Sequence, residues 1–215
     1  MAIEPDAVEI RVAACLVEKQ RTTPDAYPLS LNALRTACNQ ATNRDPVVAY
    51  DEATVAEALR RLALRGWTRL ASGAGSRARK YRHLLPEALG VDEPELALLA
   101  VLMLRGAQTP GELKQRSERL HGFEGLAAVQ EALERLVERG YVARHQRRPG
   151  QKELRYEQLC GGGEAPAGAE AADAPASEPE LVPAEDRLTR LERELAELRA
   201  ELVALREALG ETIED

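Results

Sequence analysis

Two stretches of this chain superpose when one is shifted by 74 positions. "VAEALRRLALRGWTRLASGAGSRARKYRHLL" begins at Val55, and "VQEALERLVERGYVARHQRRPGQKELRYEQL" begins at Val129. Val, Glu-Ala-Leu, Arg-Leu and Arg-Gly coincide, Trp67 overlies Tyr141, and Tyr81 meets Tyr156 after a one-residue shift in the turn. Agreement of pattern as well as identity marks two copies of one unit, so the fold has to be one that the chain can build twice.

Each copy has the same internal grammar. Val55, Ala58, Leu59 and Leu62, and likewise Val129, Ala132, Leu133 and Leu136, follow the i, i+3, i+4, i+7 spacing of an amphipathic helix. Gly66 and Gly140 then stand where a helix turns into the left-handed conformation. Two short extended runs follow, "WTRLA" and "KYRHLL" in one copy, "YVARH" and "ELRYEQL" in the other, joined by Gly-containing turns. Upstream, the first copy has helical segments near 5–19, with Pro5 in the first turn, and near 31–39, capped by Ser30. The second has them near 93–105 and 110–120, where "TPGE" (109–112) has capping-box spacing. Three helices followed by a hairpin is the order of a winged helix-turn-helix, and a three-helix bundle without the wing leaves the hairpin signals unexplained. The expected fold is mainly α (α+β winged helices): winged-helix domains at 1–90 and 91–160, a linker at 161–183 and a coiled-coil helix at 184–210.

The copies differ in two insertions. Glu9 to Ser30 takes 21 positions against 14 from Glu95 to Thr109, and Ser30 to Val55 takes 25 against 20 from Thr109 to Val129. The inserted stretches contain "RTTPDAYPL" and "ATNRDPVVAYDE", and long loops on a compact domain are where function tends to be placed. Asn43 and Asp45 read as turn formers before Pro46, and Asp51 as the cap of the next helix. Arg35 and Arg44 are less easily explained as conformational residues, and they are expected to face outward as contacts.

The same segment carries a resemblance. "CLVEKQRTTPDAYPLSLNALRTACNQATNRDPV" (15–47), continued by "ALRRLALRGW", resembles the signature of the YceH-like bacterial proteins, and the likeness runs over about residues 7–159. It implies a cytoplasmic protein of tandem winged helices with no catalytic residues to carry over. Where that family has Thr before the first-helix proline, this chain has Glu4.

Charge narrows the function. The net charge is −7, yet residues 161–215 carry 5 basic against 15 acidic side chains, while residues 1–90 carry 13 against 10. The acidity therefore belongs to the tail and says little about what the body binds. Cations collect on the hairpins, at Arg77, Arg79, Lys80 and Arg82 and at Arg144, Arg147, Arg148 and Lys152. Such a turn straddles phosphates, or enters a narrow minor groove, without reading sequence. The third helices are poorer readers of a major groove: Gln130, Glu131, Glu134 and Glu138 would face it in the second copy. The first offers Glu52, Thr54, Glu57, Arg60 and Arg61. DNA is the expected partner, through Arg35, Arg44, Arg60 and the two wings. A protein-binding adaptor is the alternative, favoured by the acidic third helix of the second copy.

Catalysis and cofactors find no foothold. Cys15, Cys38 and Cys160 form no CxxC pair, and His83, His121 and His145 are scattered, whereas a metal site needs ligands at short spacing. "GAGSRARK" lacks the GK[ST] of a phosphate loop. No apolar run reaches the roughly 20 residues that cross a bilayer. The N-terminus is acidic where a signal peptide is basic, so a cytoplasmic location is expected.

The tail points to self-association. Residues 161–183 are Gly, Ala, Pro, Glu and Ser, too poor in apolar content to fold. Leu188, Leu191, Leu195, Leu198, Leu202, Leu205 and Leu209 then alternate at three and four, a heptad seam. In a parallel dimer Arg187–Glu192, Glu194–Arg199 and Glu201–Arg206 would all attract across the rim, each worth about 0.3–0.5 kcal/mol. An antiparallel pairing sets like charges together, so a parallel dimer is expected; an all-Leu seam leaves trimers open.

Overall fold

The computed structural model describes residues 4–71, 79–145 and 153–161, all within one compact unit spanning Met1–Glu164. The first copy comprises α1 (Ala7–Thr22), β1 (Leu29–Ser30), α2 (Leu31–Cys38), α3 (Glu52–Leu64), β2 (Thr68–Leu70) and β3 (Lys80–His83). A short α4 (Leu85–Leu89) leads to the second copy: α5 (Glu93–Arg105), α6 (Pro110–Ser117), α7 (Leu126–Glu138), β4 (Val142–His145) and β5 (Arg155–Gln158). Helices with small antiparallel sheets in repeated order meet the α+β expectation. The linker at 161–183, after its first residue, and the leucine seam from Leu188 to Leu209 lie outside the described residues.

The helix starts follow from their caps. Asp6 caps α1: its carboxylate accepts the Glu9 N–H at 2.8 Å while Glu9 accepts the Asp6 N–H at 3.0 Å. Pro5 stands one residue outside, where it shapes the approach and not the first turn. Asp92 and Glu95 repeat this box on α5, and Thr109 and Glu112 form the anticipated one on α6. Ser30 caps α2 by accepting the Ala33 N–H. At the other end, α3 and α7 close identically. The Gly66 and Gly140 N–H groups bond to Ala63 and Val137, and the next residues, Trp67 and Tyr141, reach back to Leu62 and Leu136. This double closure needs φ near +73° and +74° at the glycines, a conformation other residues adopt at a cost.

The two copies join through their first helices. Residues 9–18 of α1 and 95–104 of α5 are buried on every side, because each helix packs both against its own copy and against the other. A helix buried all round can be accommodated only inside a shared core. Around this pair, Val55, Ala58, Leu59 and Leu62 of α3 and Val129, Ala132, Leu133 and Leu136 of α7 are buried, the stripes the periodicity predicts.

Two clamps of the same design tie third helix to first. Glu9, buried, receives Arg61 at 3.2 Å and Arg65 at 3.0 Å; Glu95, buried, receives Arg135 at 2.9 Å and Arg139 at 3.3 Å. Each carboxylate thus serves its helix cap and two guanidiniums at once, which satisfies a charge that would be costly to bury alone.

The first sheet holds one strand more than expected. β3 pairs with β2 and also with β1, giving the order β1-β3-β2, with Leu29 opposite Tyr81. In the second copy β4 and β5 pair alone, and an isolated bridge from Gln108 to Tyr156 occupies the place of β1.

Candidate nucleic-acid interface

Strand alternation sorts the first hairpin into two faces. Thr68 and His83 are opposite one another and buried, so Arg69 and Arg82, also opposite, share the outer face. Arg79 precedes β3 and is exposed, and Lys80 is half-buried. Like charges directly across a strand pair disfavour it, by roughly 0.2–1 kcal/mol. Among the described residues neither Arg69, Arg79 nor Arg82 has a carboxylate partner, and the Arg82 Nε is buried without a hydrogen bond. Arg69 was missed by the sequence reading, although the alternation of "WTRLA" with the following strand carries the signal. Arg77, on the same hairpin, lies outside the described residues.

The second hairpin is arranged differently. Arg144 is exposed but committed: it hydrogen-bonds Glu134 of α7 and lies 5.9 Å above the Tyr156 ring. His145 meets Glu157 at 2.6 Å. Arg144, expected as a phosphate contact, stays exposed with its charge paired to its own third helix. Arg147, Arg148 and Lys152 lie outside the described residues. On α7, Gln130, Glu131, Glu134 and Glu138 are all exposed, as the pattern predicts.

The loop after α2 requires the largest correction. Arg44 is not outward-facing: it is 6% exposed and grips Glu18 of α1 through both terminal nitrogens, at 3.0 and 2.6 Å. Its Nε donates to the Ala37 carbonyl at 3.1 Å. Arg11 donates to the Pro46 carbonyl at 2.8 Å, and the Asp45 N–H donates to the Leu104 carbonyl at 2.8 Å. Asn43 turns the chain at φ 60°. An irregular loop carries many backbone groups without partners of their own, and these two arginines and the end of α5 supply them. Burial alone would raise the Glu18 pKa; the Arg44 hydrogen bonds and charge outweigh it and hold the carboxyl below its ordinary value.

The remaining candidates are partly engaged. Arg60 is exposed and binds Glu57 through two nitrogens at 2.9 and 2.7 Å, and Arg61 is drawn into the Glu9 clamp. The exposed side of α3 is thereby close to neutral. Arg35 is half-buried and donates to Asn32 at 2.9 Å.

The thiols are free and buried. Burial pushes Cys160 up to about 12, and Cys38 is raised by its hydrogen bond with Cys15 and by burial. Among the described residues no three His, Cys, Asp or Glu side chains converge to hold a metal ion. No described helix is long and apolar enough to cross a membrane.

The profile of the family described as "Protein of unknown function, DUF480" matches residues 6–151, from the cap of α1 through β4, and includes the shared core and the Arg44 loop. The chain belongs to the DUF480 family. A UPF0502 protein of Geotalea daltonii is 52% identical over 164 residues, 75% of each chain. One from Pelobacter propionicus is 50% identical over 175 residues, covering 79% of this chain and 80% of its own. The UPF0502 protein YceH of Salmonella paratyphi B is 47% identical over 169 residues, 75% of this chain and 79% of its own. The DUF480 match includes the resemblance drawn from residues 15–47.

Proposed function

We propose that this DUF480 chain is a non-enzymatic, cytoplasmic DNA-binding protein. In this reading its two copies are winged helix-turn-helix units and its C-terminal leucine seam forms a parallel dimer. The observation that carries the reading is the outer face of β2 and β3, where Arg69 and Arg82 stand opposite one another, with the exposed Arg79 just before β3. A phosphate placed there relieves a repulsion that the fold otherwise sustains. The contact is to backbone and not to base edges, because the exposed side of α3 is nearly neutral and that of α7 acidic. Weak sequence preference follows.

Fluorescence anisotropy with a labelled random-sequence duplex, titrated at several salt concentrations, tests this. Binding should weaken steeply with salt, and each of Arg69→Gln, Arg79→Gln and Arg82→Gln should lower the log–log slope by about 1 per bound protomer. A slope unchanged in all three variants would falsify it.

A second reading, a protein-binding adaptor, is favoured by the exposed acidic row on α7. It expects partner recovery that survives nuclease and disappears in Glu131→Lys/Glu138→Lys.

A further inference from the structure

A cleft of about 360 Å³ opens between α1, α5, α6 and the loop that follows α2. Arg105, Arg116 and Arg119 line it, over an apolar floor of Val101, Leu104 and Leu120. None of the three arginines is fully compensated. Arg105 donates to the Asn43 side-chain oxygen, a neutral partner. Arg116 donates to Gln108 at 2.8 Å and shares Glu112, at 3.4 Å, with Arg155 at 3.5 Å. Arg119 is exposed and has neither ion pair nor hydrogen bond among the described residues. The carboxylate in the lining, Glu18, is already occupied by Arg44. Three arginines therefore line a cleft whose one carboxylate, Glu18, is already paired. Burial, then the charges of Arg116 and Arg44, push the Arg105 pKa down against the opposing pull of Glu18 and Glu112.

We propose that this cleft binds a small phosphomonoester, with its dianionic head among Arg105, Arg116 and Arg119 and its organic part over Val101, Leu104 and Leu120. A carboxylate is satisfied by one guanidinium fork, whereas a terminal phosphate offers three oxygens and two charges to several. The recess has the volume of a small-molecule site, and its apolar floor has nothing to offer a nucleic-acid backbone. The site is independent of the basic face of β2 and β3. It draws Arg105 from the second copy and abuts Thr22 and Asn43 of the first, so its occupant touches both copies at once.

Isothermal titration calorimetry on the full chain tests the proposal, with inorganic phosphate, ribose 5-phosphate and phenyl phosphate as probes. Dimethyl phosphate and a short random-sequence DNA duplex separate a free phosphomonoester from a nucleic-acid phosphate. Saturable binding of a phosphomonoester is expected, with dimethyl phosphate silent. Arg119→Gln should weaken it by about tenfold or more, since a charge-assisted hydrogen bond is lost. Because Arg119 has no partner among the described residues, the variant should keep the parental circular dichroism spectrum and melting temperature. Absence of saturable binding by all three probes at about 10 mM, a limit equivalent to roughly −3 kcal/mol, overturns the proposal. So does binding unaltered in both Arg119→Gln and Arg105→Lys. Duplex binding that is lost in Arg119→Gln, with the phosphomonoesters inert, assigns the arginines to nucleic acid and likewise overturns it.

Discussion

Arg44 and Glu18 are buried together, and their value to the protein lies less in the pair than in what each would be without the other. Replacing Arg44 by Ala strands a carboxylate and leaves the Ala37 carbonyl without its donor; a loss of about 3–5 kcal/mol in urea unfolding is expected. The double variant Arg44→Met/Glu18→Leu should recover much of it, since an apolar pair of similar volume has no charge to desolvate. The Glu18 pKa is lower folded than unfolded, so its contribution is present above the ordinary value of 4.5 and disappears as pH falls through the folded value. His83 acts over a different window. Burial pushes its pKa from 6.5 down to about 4, with Arg21 and Arg82 pushing further and Glu87 opposing. Between those values the unfolded chain binds the proton and the folded chain does not, so stability should fall as pH drops from about 6.5 to 4, by up to about 3 kcal/mol. Urea midpoints across that window should fall less steeply in His83→Gln, and an imidazole that titrates near 6.5 by NMR in the folded protein would refute the assignment.

Among the elements, the glycines that end α3 and α7 offer a clean measurement. A methyl group at Gly66 or Gly140 would meet nothing within 4 Å, so any cost is backbone alone. Gly66→Ala and Gly140→Ala should each lose about 1 kcal/mol in denaturant unfolding, and a much larger loss at either would indicate a steric role. These closures were legible because they depend on neighbours in sequence, as did the Ser30 and Thr109 caps and the buried stripes of α3 and α7. What stayed hidden depends on partners far along the chain. Nothing local in Leu29–Ser30 marks a third strand, which exists because β3 offers a free edge. Arg44 reads as a surface contact until Glu18, 26 positions earlier, is placed beside it. Arg144 stays on the surface, but its pairing with Glu134, ten positions earlier, was equally hidden. The basic hairpin was legible as composition, but the opposition of Arg69 and Arg82 needed the strand register.

For the described unit as a whole, the shared α1–α5 core makes the two copies one cooperative body. A single unfolding transition is expected for residues 1–164, with circular dichroism and Trp67 fluorescence coincident, and residues 1–90 alone should not show it. Two separated transitions would show that the copies are independent domains. The hydrogen bond from the Asp45 N–H to the Leu104 carbonyl has a consequence in time. During synthesis the loop leaves the ribosome about 60 residues ahead of the helix end that completes it, a delay of roughly 3–12 s at ordinary elongation rates. Through that interval the nascent first copy carries an uncovered apolar face on α1 and an unlatched loop. The newborn chain is thus exposed to sticking, or to capture by a chaperone, until α5 emerges to cover it.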